Sequence, residues 1–244
     1  MIKRVPKIFI SIIILGYIFA FFSLFDPTKR LFGLISFIVA AVLHIIYMLS
    51  NEYKSSRHLA IASKFIEKNE PEKAYEEILK SAKLYQNEEE LYKLFSNKAK
   101  FKDTVKKVAN LIYENISNYD SPYIRFIGAM FEYIGGDLER AKRLLLAIDE
   151  DSLTIKMARL LGSIFYELKD FDRAIEYLKL YDPPYAPMNE DELAVVYGIG
   201  ISYLAKGERE LARQYLERVE LRNSKFGNVG SILKSLEETD SKES

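Results

Sequence analysis

Arg159 to Leu178 reads RLLGSIFYELKDFDRAIEYL, and two amphipathic helices are written in it. The first places Leu160, Leu161, Ile164, Phe165 and Leu168 on one face, and the second places Phe171, Ala174, Ile175 and Leu178 on another. Lys169 and Asp170 form the break between them. Neither helix can bury its stripe alone. Gly162 on the first is expected to face Ala174 on the second, because two antiparallel helices pack closely where small residues meet.

A register, unlike a single hairpin, requires recurrence at a fixed period. With Ala174 as anchor, the equivalent positions are Ala74, Val108, Ala141 and Ala212, in steps of 34, 33, 33 and 38 residues. Twelve residues before each anchor stand Ala62, Ser96, Ala129, Gly162 and Gly200, and four after stand Ile78, Ile112, Leu145, Leu178 and Leu216. Phe65, Phe165 and Tyr203 add an aromatic three residues past the small one, and Gly136 and Gly207 close first helices. This pattern resembles the tetratricopeptide repeat over about residues 55 to 226. The second repeat is the poorest match, and the tryptophan favoured near the family's repeat start is absent. The resemblance implies an all-α solenoid of about five helix pairs, built to bind proteins.

The 244 residues divide into parts of different character. Ile8 to Phe25 and Leu31 to Ser50 are long apolar runs, each able to cross a bilayer, and between them lies DPTKR with the helix-breaking Pro27. A transmembrane hairpin over residues 1–50 is therefore expected, with spans at about 8–25 and 31–50. A cleaved signal peptide is the competing reading of the first run, which has Lys3, Arg4 and Lys7 before it. No small-x-small site follows, and a second span comes at once. Lys54, Arg57, Lys64 and Lys68 join the three N-terminal basic residues on one side, against Lys29 and Arg30 in the connecting loop. The positive-inside rule then puts both ends, and so the repeats, in the cytoplasm. His44 lies at membrane depth and is a functional candidate by position. With Ser11, Tyr17 and Ser23 on the first span, it reads as a helix-to-helix hydrogen-bonding group.

From Asn51 to Arg57 there is neither Pro nor Gly, so the second span is expected to run into the solenoid, residues 51–226, with little interruption. Asn87 with Glu90, Ser121 before Pro122, and Asn189 with Glu192 are helix-entry signals that also account for the acidic clusters. Between the fourth and fifth repeats, YDPPYAPMNED is an irregular connector, either bordering a binding surface or a plain spacer. Val229, Ile232, Leu233 and Leu236 then recur at helical spacing, as a capping helix within residues 227–244 would have them. The tail from Glu237 is polar and expected to fray.

Several function classes lose support. Without cysteine there is no disulfide, thiolate catalysis or Cys-based zinc site. Neither GxxxxGK[ST] nor GxGxxG occurs, and His58 is the one histidine outside the spans. No catalytic residue, metal or cofactor is expected, although a carboxylate pair would leave no sequence signature. Residues beyond 50 carry a net charge of about −4, with no basic excess for nucleic acid.

The resemblance also implies a concave wall formed by positions 2, 5, 9 and 12 of each first helix. The candidate partner-binding residues are Tyr123, Phe126, Met130 and Tyr133 in the third repeat. The fourth supplies Arg159 and Tyr166 beside Lys156 and Ser163. The fifth supplies Tyr197, Ile201 and Leu204 beside Ala194. Such a wall is more apolar than solvation requires, and Tyr and Arg anchor many interfaces. Lys93 and Asn97 in the second repeat resemble part of a carboxylate clamp, but Ile127 stands where the family would need an Asn. The expected function is a membrane-anchored scaffold that recruits a protein or peptide partner. The alternatives are a membrane-complex subunit assembling through its hairpin, with Gly16, Gly33, Ser36, Ala40 and Ala41 as contact points, and an unrecognised enzyme.

Overall fold

A computed structural model describes residues 7–96, 98–118, 121–184 and 187–243. Among them every regular element is a helix. The chain forms two compact units, Met1–Leu111 and Ile112–Ser244.

In the first unit α1 (Lys7–Ser23) and α2 (Arg30–Met48) form an antiparallel hairpin. Asp26 caps the turn at Pro27–Lys29 by accepting from Thr28 N and Thr28 Oγ1. The small residues are used inside the hairpin. Ser36 Oγ donates to Gly16 O at 3.0 Å, and a Cβ on Gly16 would lie 2.9 Å from Ala40 Cβ. Gly33 likewise lies against Ser23. Tyr17 Oη and His44 Nδ1 are 3.4 Å apart, the interhelical contact expected of that histidine. Gly16, Gly33, Ser36 and Ala40 therefore hold α1 to α2.

α2 and the helix that follows it are separate, with a two-residue break between them. α2 ends at Met48 and α3 (Asn51–Glu67) starts afresh, because Ser50 is extended and its Oγ accepts from Tyr53 N at 3.2 Å. A serine that satisfies an orphan N–H starts a helix as effectively as a proline or glycine stops one. α3 pairs with α4 (Pro71–Leu84) as the first repeat. The second repeat has a short α5 (Glu88–Phe95), a 3-10 turn at Lys98–Phe101, and α6 (Lys102–Glu114), within which the boundary between the units falls. Its Ser96 is exposed, while Leu91 and Phe95 fill the core, which explains the poor match there.

In the second unit α7 (Pro122–Gly135) pairs with α8 (Leu138–Leu146), α9 (Ile155–Glu167) with α10 (Phe171–Lys179), and α11 (Glu190–Lys206) with α12 (Arg209–Arg222). Consecutive first helices also touch, α7 to α9 and α9 to α11, as stacked solenoid repeats must. Across both units the anchors Ala74, Val108, Ala141, Ala174 and Ala212 are fully buried, and so are Ile78, Leu145 and Leu216 four residues on. α13 (Val229–Glu243) caps the end, laying Val229, Leu233 and Leu236 on Leu193, Val196, Leu216 and Val219. The helix extends past Glu237 to Glu243.

Gly162 meets Leu178 rather than Ala174, because a Cβ there would lie 2.6 Å from Leu178 Cγ. Gly200 does the same with Leu216, at 2.8 Å. The small residue thus accommodates the leucine one helical turn beyond the anchor.

The repeats also share a turn. Seven residues past the small position, Asn69, Gly136, Lys169 and Gly207 take φ of 58°, 87°, 62° and 83°. Each turn is closed by the same backbone bond, Glu70 N to Phe65 O, Asp137 N to Glu132 O, Asp170 N to Phe165 O, and Glu208 N to Tyr203 O. Nothing lies within 4 Å of where a Gly207 Cβ would be. Gly207→Ala is therefore expected to cost about 1–2 kcal/mol from backbone strain alone, read as a lower thermal midpoint at unchanged helical content.

The connector before α11 is pinned to α12. Arg218 Nη2 donates to Asp182 Oδ1 at 3.0 Å and to Pro183 O at 2.6 Å, and Tyr215 Oη donates to Asp182 Oδ2 at 3.1 Å. Burial, then the Asp182 carboxylate, pushes the Tyr215 phenol above its usual range, so it remains a protonated donor. Arg218→Ala is expected to cost about 1.5–3 kcal/mol through these charged hydrogen bonds, and to increase proteolysis after Tyr181. Equal proteolysis of both proteins would show that the connector is held by other means.

Candidate partner-binding groove

One face of the second unit opens into a groove of about 380 Å³. Most of its lining comes from successive first helices, with Leu178 of α10 and Phe226 completing it. α7 contributes Tyr133 from its last turn, α9 contributes Arg159, Ser163 and Tyr166, and α11 contributes Ala194, Tyr197 and Ile201. These fall at i, i+4, i+7 on α9 and i, i+3, i+7 on α11, which is one face of each helix.

The aromatic side chains are held by their polar ends. Tyr133 Oη donates to Glu167, and Tyr197 Oη donates to Asn228 Oδ1. Tyr166 packs on Phe171 with ring centroids 5.4 Å apart. Tyr197 meets Phe226 edge to face at 5.6 Å, and Phe226 closes one end of the groove. Gly227 makes that closure possible, since it has φ 55° and a Cβ on it would lie 3.0 Å from Tyr197 Cζ. Rings fixed before binding lose little rotamer freedom on contact.

The cations of the wall are already engaged. Lys156 Nζ and Arg159 Nη1 both donate to Asp191 in the first turn of α11. Asp191 therefore joins the fourth repeat to the fifth as well as favouring the start of α11, where Asn189 and Glu192 complete a capping box. The groove lining is mainly aromatic and aliphatic, with the exposed Ser163 among it, while the buried Ser202 hydroxyl donates to Gly198 O.

The candidates from the sequence thus separate. Tyr133, Arg159, Tyr166, Tyr197 and Ile201 line the groove. Leu204 is half-buried between two apolar clusters and does not line it. Tyr123, Phe126 and Met130 are buried, at 1%, 0% and 3% exposure, and the expectation that they stand on an open wall is corrected. The reason is visible in PYIRFIGAMFEYIG, which is apolar around most of its circumference, as a helix enclosed on all sides is. Phe226 and Asn228 were missed because they lie past α12, the second helix of the last repeat, where a repeat register assigns no position. Their one local signal is Gly227. Asn97, half of the clamp-like pair, lies outside the described residues. Among the described residues no group of three or more His, Asp or Glu is placed to hold a metal.

No protein-family model matches the chain, and no curated protein matches it. Among solved structures, the crystal structure of MamA protein is similar at 18% identity and a TM-score of 0.40, over 70% of this chain and 93% of that one. The fold assignment rests on the helix order, the shared turn and the repeated packing described above.

Proposed function

We propose that this chain is a membrane-anchored scaffold that recruits a protein partner by binding a segment of it in the groove of the second unit. The groove is the observation that carries the reading. Ordered rings around an open, mostly apolar space are suited to one or two large apolar side chains of an extended or helical peptide. Its volume falls at the low end of the roughly 300–1,000 Å³ of ligand pockets, enough for anchor residues.

The anchor is the α1–α2 hairpin. α2 spans about 28 Å at ~1.5 Å per residue, close to the ~30 Å hydrocarbon thickness. Along its apolar length α2 is only 11% buried, too little for a core helix. Large apolar residues stand exposed on both helices, among them Leu15, Phe19, Phe22, Leu34, Ile38 and Ile45. In water that surface would drive aggregation, whereas in a bilayer it needs no cover. With the basic excess on the side of the termini, the repeats sit in the cytoplasm. Anchoring then concentrates the captured partner at the membrane without any chemical step.

The test is a photocrosslinking residue at exposed Ser163, applied in native membranes and compared with the same protein carrying Tyr166→Ala and Tyr197→Ala. A defined crosslinked partner that disappears in the double variant, at unchanged helical content, is the expected result. The same crosslink at equal yield in both proteins would overturn the groove reading.

A further inference from the structure

α3 carries a face that the groove reading does not use. Lys54, Arg57, Lys64 and Lys68 fall within an arc of about 80° when successive residues turn by ~100°. Its buried residues, Ser55, Leu59, Ala62, Ser63 and Ile66, lie on the opposite side. The two acids of α3 are off the basic face, and Glu67 is taken up by Lys98 on the other flank. No described residue forms an ion pair with any of the four. Lys73, Lys80 and Lys93 of the same unit each pair with a glutamate three residues earlier, on faces that mix both signs. An end face that only needs solvating carries both signs, and this one carries four cations and no acid.

Its position supplies the counter-charge. Only Leu49 and Ser50 separate α3 from the hairpin, and Tyr47 at the end of α2 packs edge to face on Tyr53 in the first turn of α3, with centroids 5.3 Å apart. Aromatic residues at such a junction sit at headgroup depth, which puts Lys54 there too. Lys54 and Lys68 are about 21 Å apart along the axis, so the four charges share one planar partner only if the helix lies along it.

We propose that α3 lies on the bilayer surface and binds anionic lipid headgroups through Lys54, Arg57, Lys64 and Lys68. This inference rests on the hairpin's being the anchor. It sets the attitude of the first repeat against the membrane, and makes that attitude depend on lipid charge and ionic strength.

The absence of cysteine allows one probe to be placed cleanly. Full-length protein with Ile61→Cys, in the middle of the basic face, is labelled with a fluorophore. It is then reconstituted into nanodiscs of phosphatidylcholine alone or with about one third phosphatidylserine, each containing a headgroup-nitroxide lipid. Quenching at least about twofold stronger in the anionic discs is expected. That excess should be abolished by high salt and by Lys54→Glu, Arg57→Glu, Lys64→Glu and Lys68→Glu together. Incorporation into both discs with equal quenching would overturn this inference while leaving the anchor intact. Failure to enter either bilayer would overturn the anchor and this inference with it.

Discussion

Truncation of Leu178 to alanine is expected to lower the stability of the second unit by about 3–5 kcal/mol, near the top of the range for a buried leucine. The cost is high because of what surrounds the side chain. Leu178 projects from α10 between two first helices, against Gly162 on α9 and Gly198 on α11. Neither glycine has a side chain with which to collapse into the space left behind, so the cavity remains. Gly162→Ala in the intact protein should also destabilise. Its new Cβ would lie 2.6 Å from Leu178 Cγ, and overpacking of about 1–3 kcal/mol outweighs the ~1 kcal/mol of helix propensity gained. In the Leu178→Ala background the same substitution should instead stabilise, since the methyl fills part of the cavity and the propensity gain is kept. A double-mutant cycle by urea unfolding in mild detergent reads this reversal of sign as coupling. Additive effects would mean that the glycine is not there for the leucine, and the packing rule inferred for Gly200 and Leu216 would fail too.

The second large effect concerns the hairpin. Ile38→Arg and Val42→Arg lie one turn apart near the middle of α2, where both side chains are about half exposed. Each is expected to cost about 2.5–3.5 kcal/mol of insertion free energy at the centre of a span. Together they shift the partition by roughly four orders of magnitude, and the doubly substituted chain should be extracted from membranes by alkaline carbonate while the parent is retained. Two environments predict opposite outcomes for this surface. In water two arginines on an exposed apolar face would improve solubility and leave the location unchanged. Retention of the variant in the membrane fraction would therefore count against α2 as a lipid-facing span.

Most of the helices were legible because the signals that place them are local. Alanine and glycine at one spacing, leucine and isoleucine four residues on, and caps such as Asn189 with Glu192 lie within single helices or adjacent ones. The break before α3 was missed although its cause is equally local. Ser50 closes an apolar run and reads as its last residue, yet its hydroxyl starts the next helix. The αL turns were half visible, with glycine marking two of the four while Asn69 and Lys169 hold the same conformation at greater strain.

By itself, the order of the residues determined that this chain is helical, that its helices pair at a period near 34 residues, and that an apolar hairpin precedes them, because periodicity and capping act within a few turns of chain. Tertiary structure alone decided which faces stay open. Ala194, Tyr197 and Ile201 line the groove, whereas Tyr123, Phe126 and Met130, at equivalent repeat positions, are buried. It also brought Asp191 to Lys156 and Arg159, and Phe226 to Tyr197, across 35, 32 and 29 residues of chain. Exposure depends on what folds back over a helix from elsewhere; an all-round apolar helix such as Pro122–Gly135 hints at enclosure, but a repeat register assigns the same open face to every first helix.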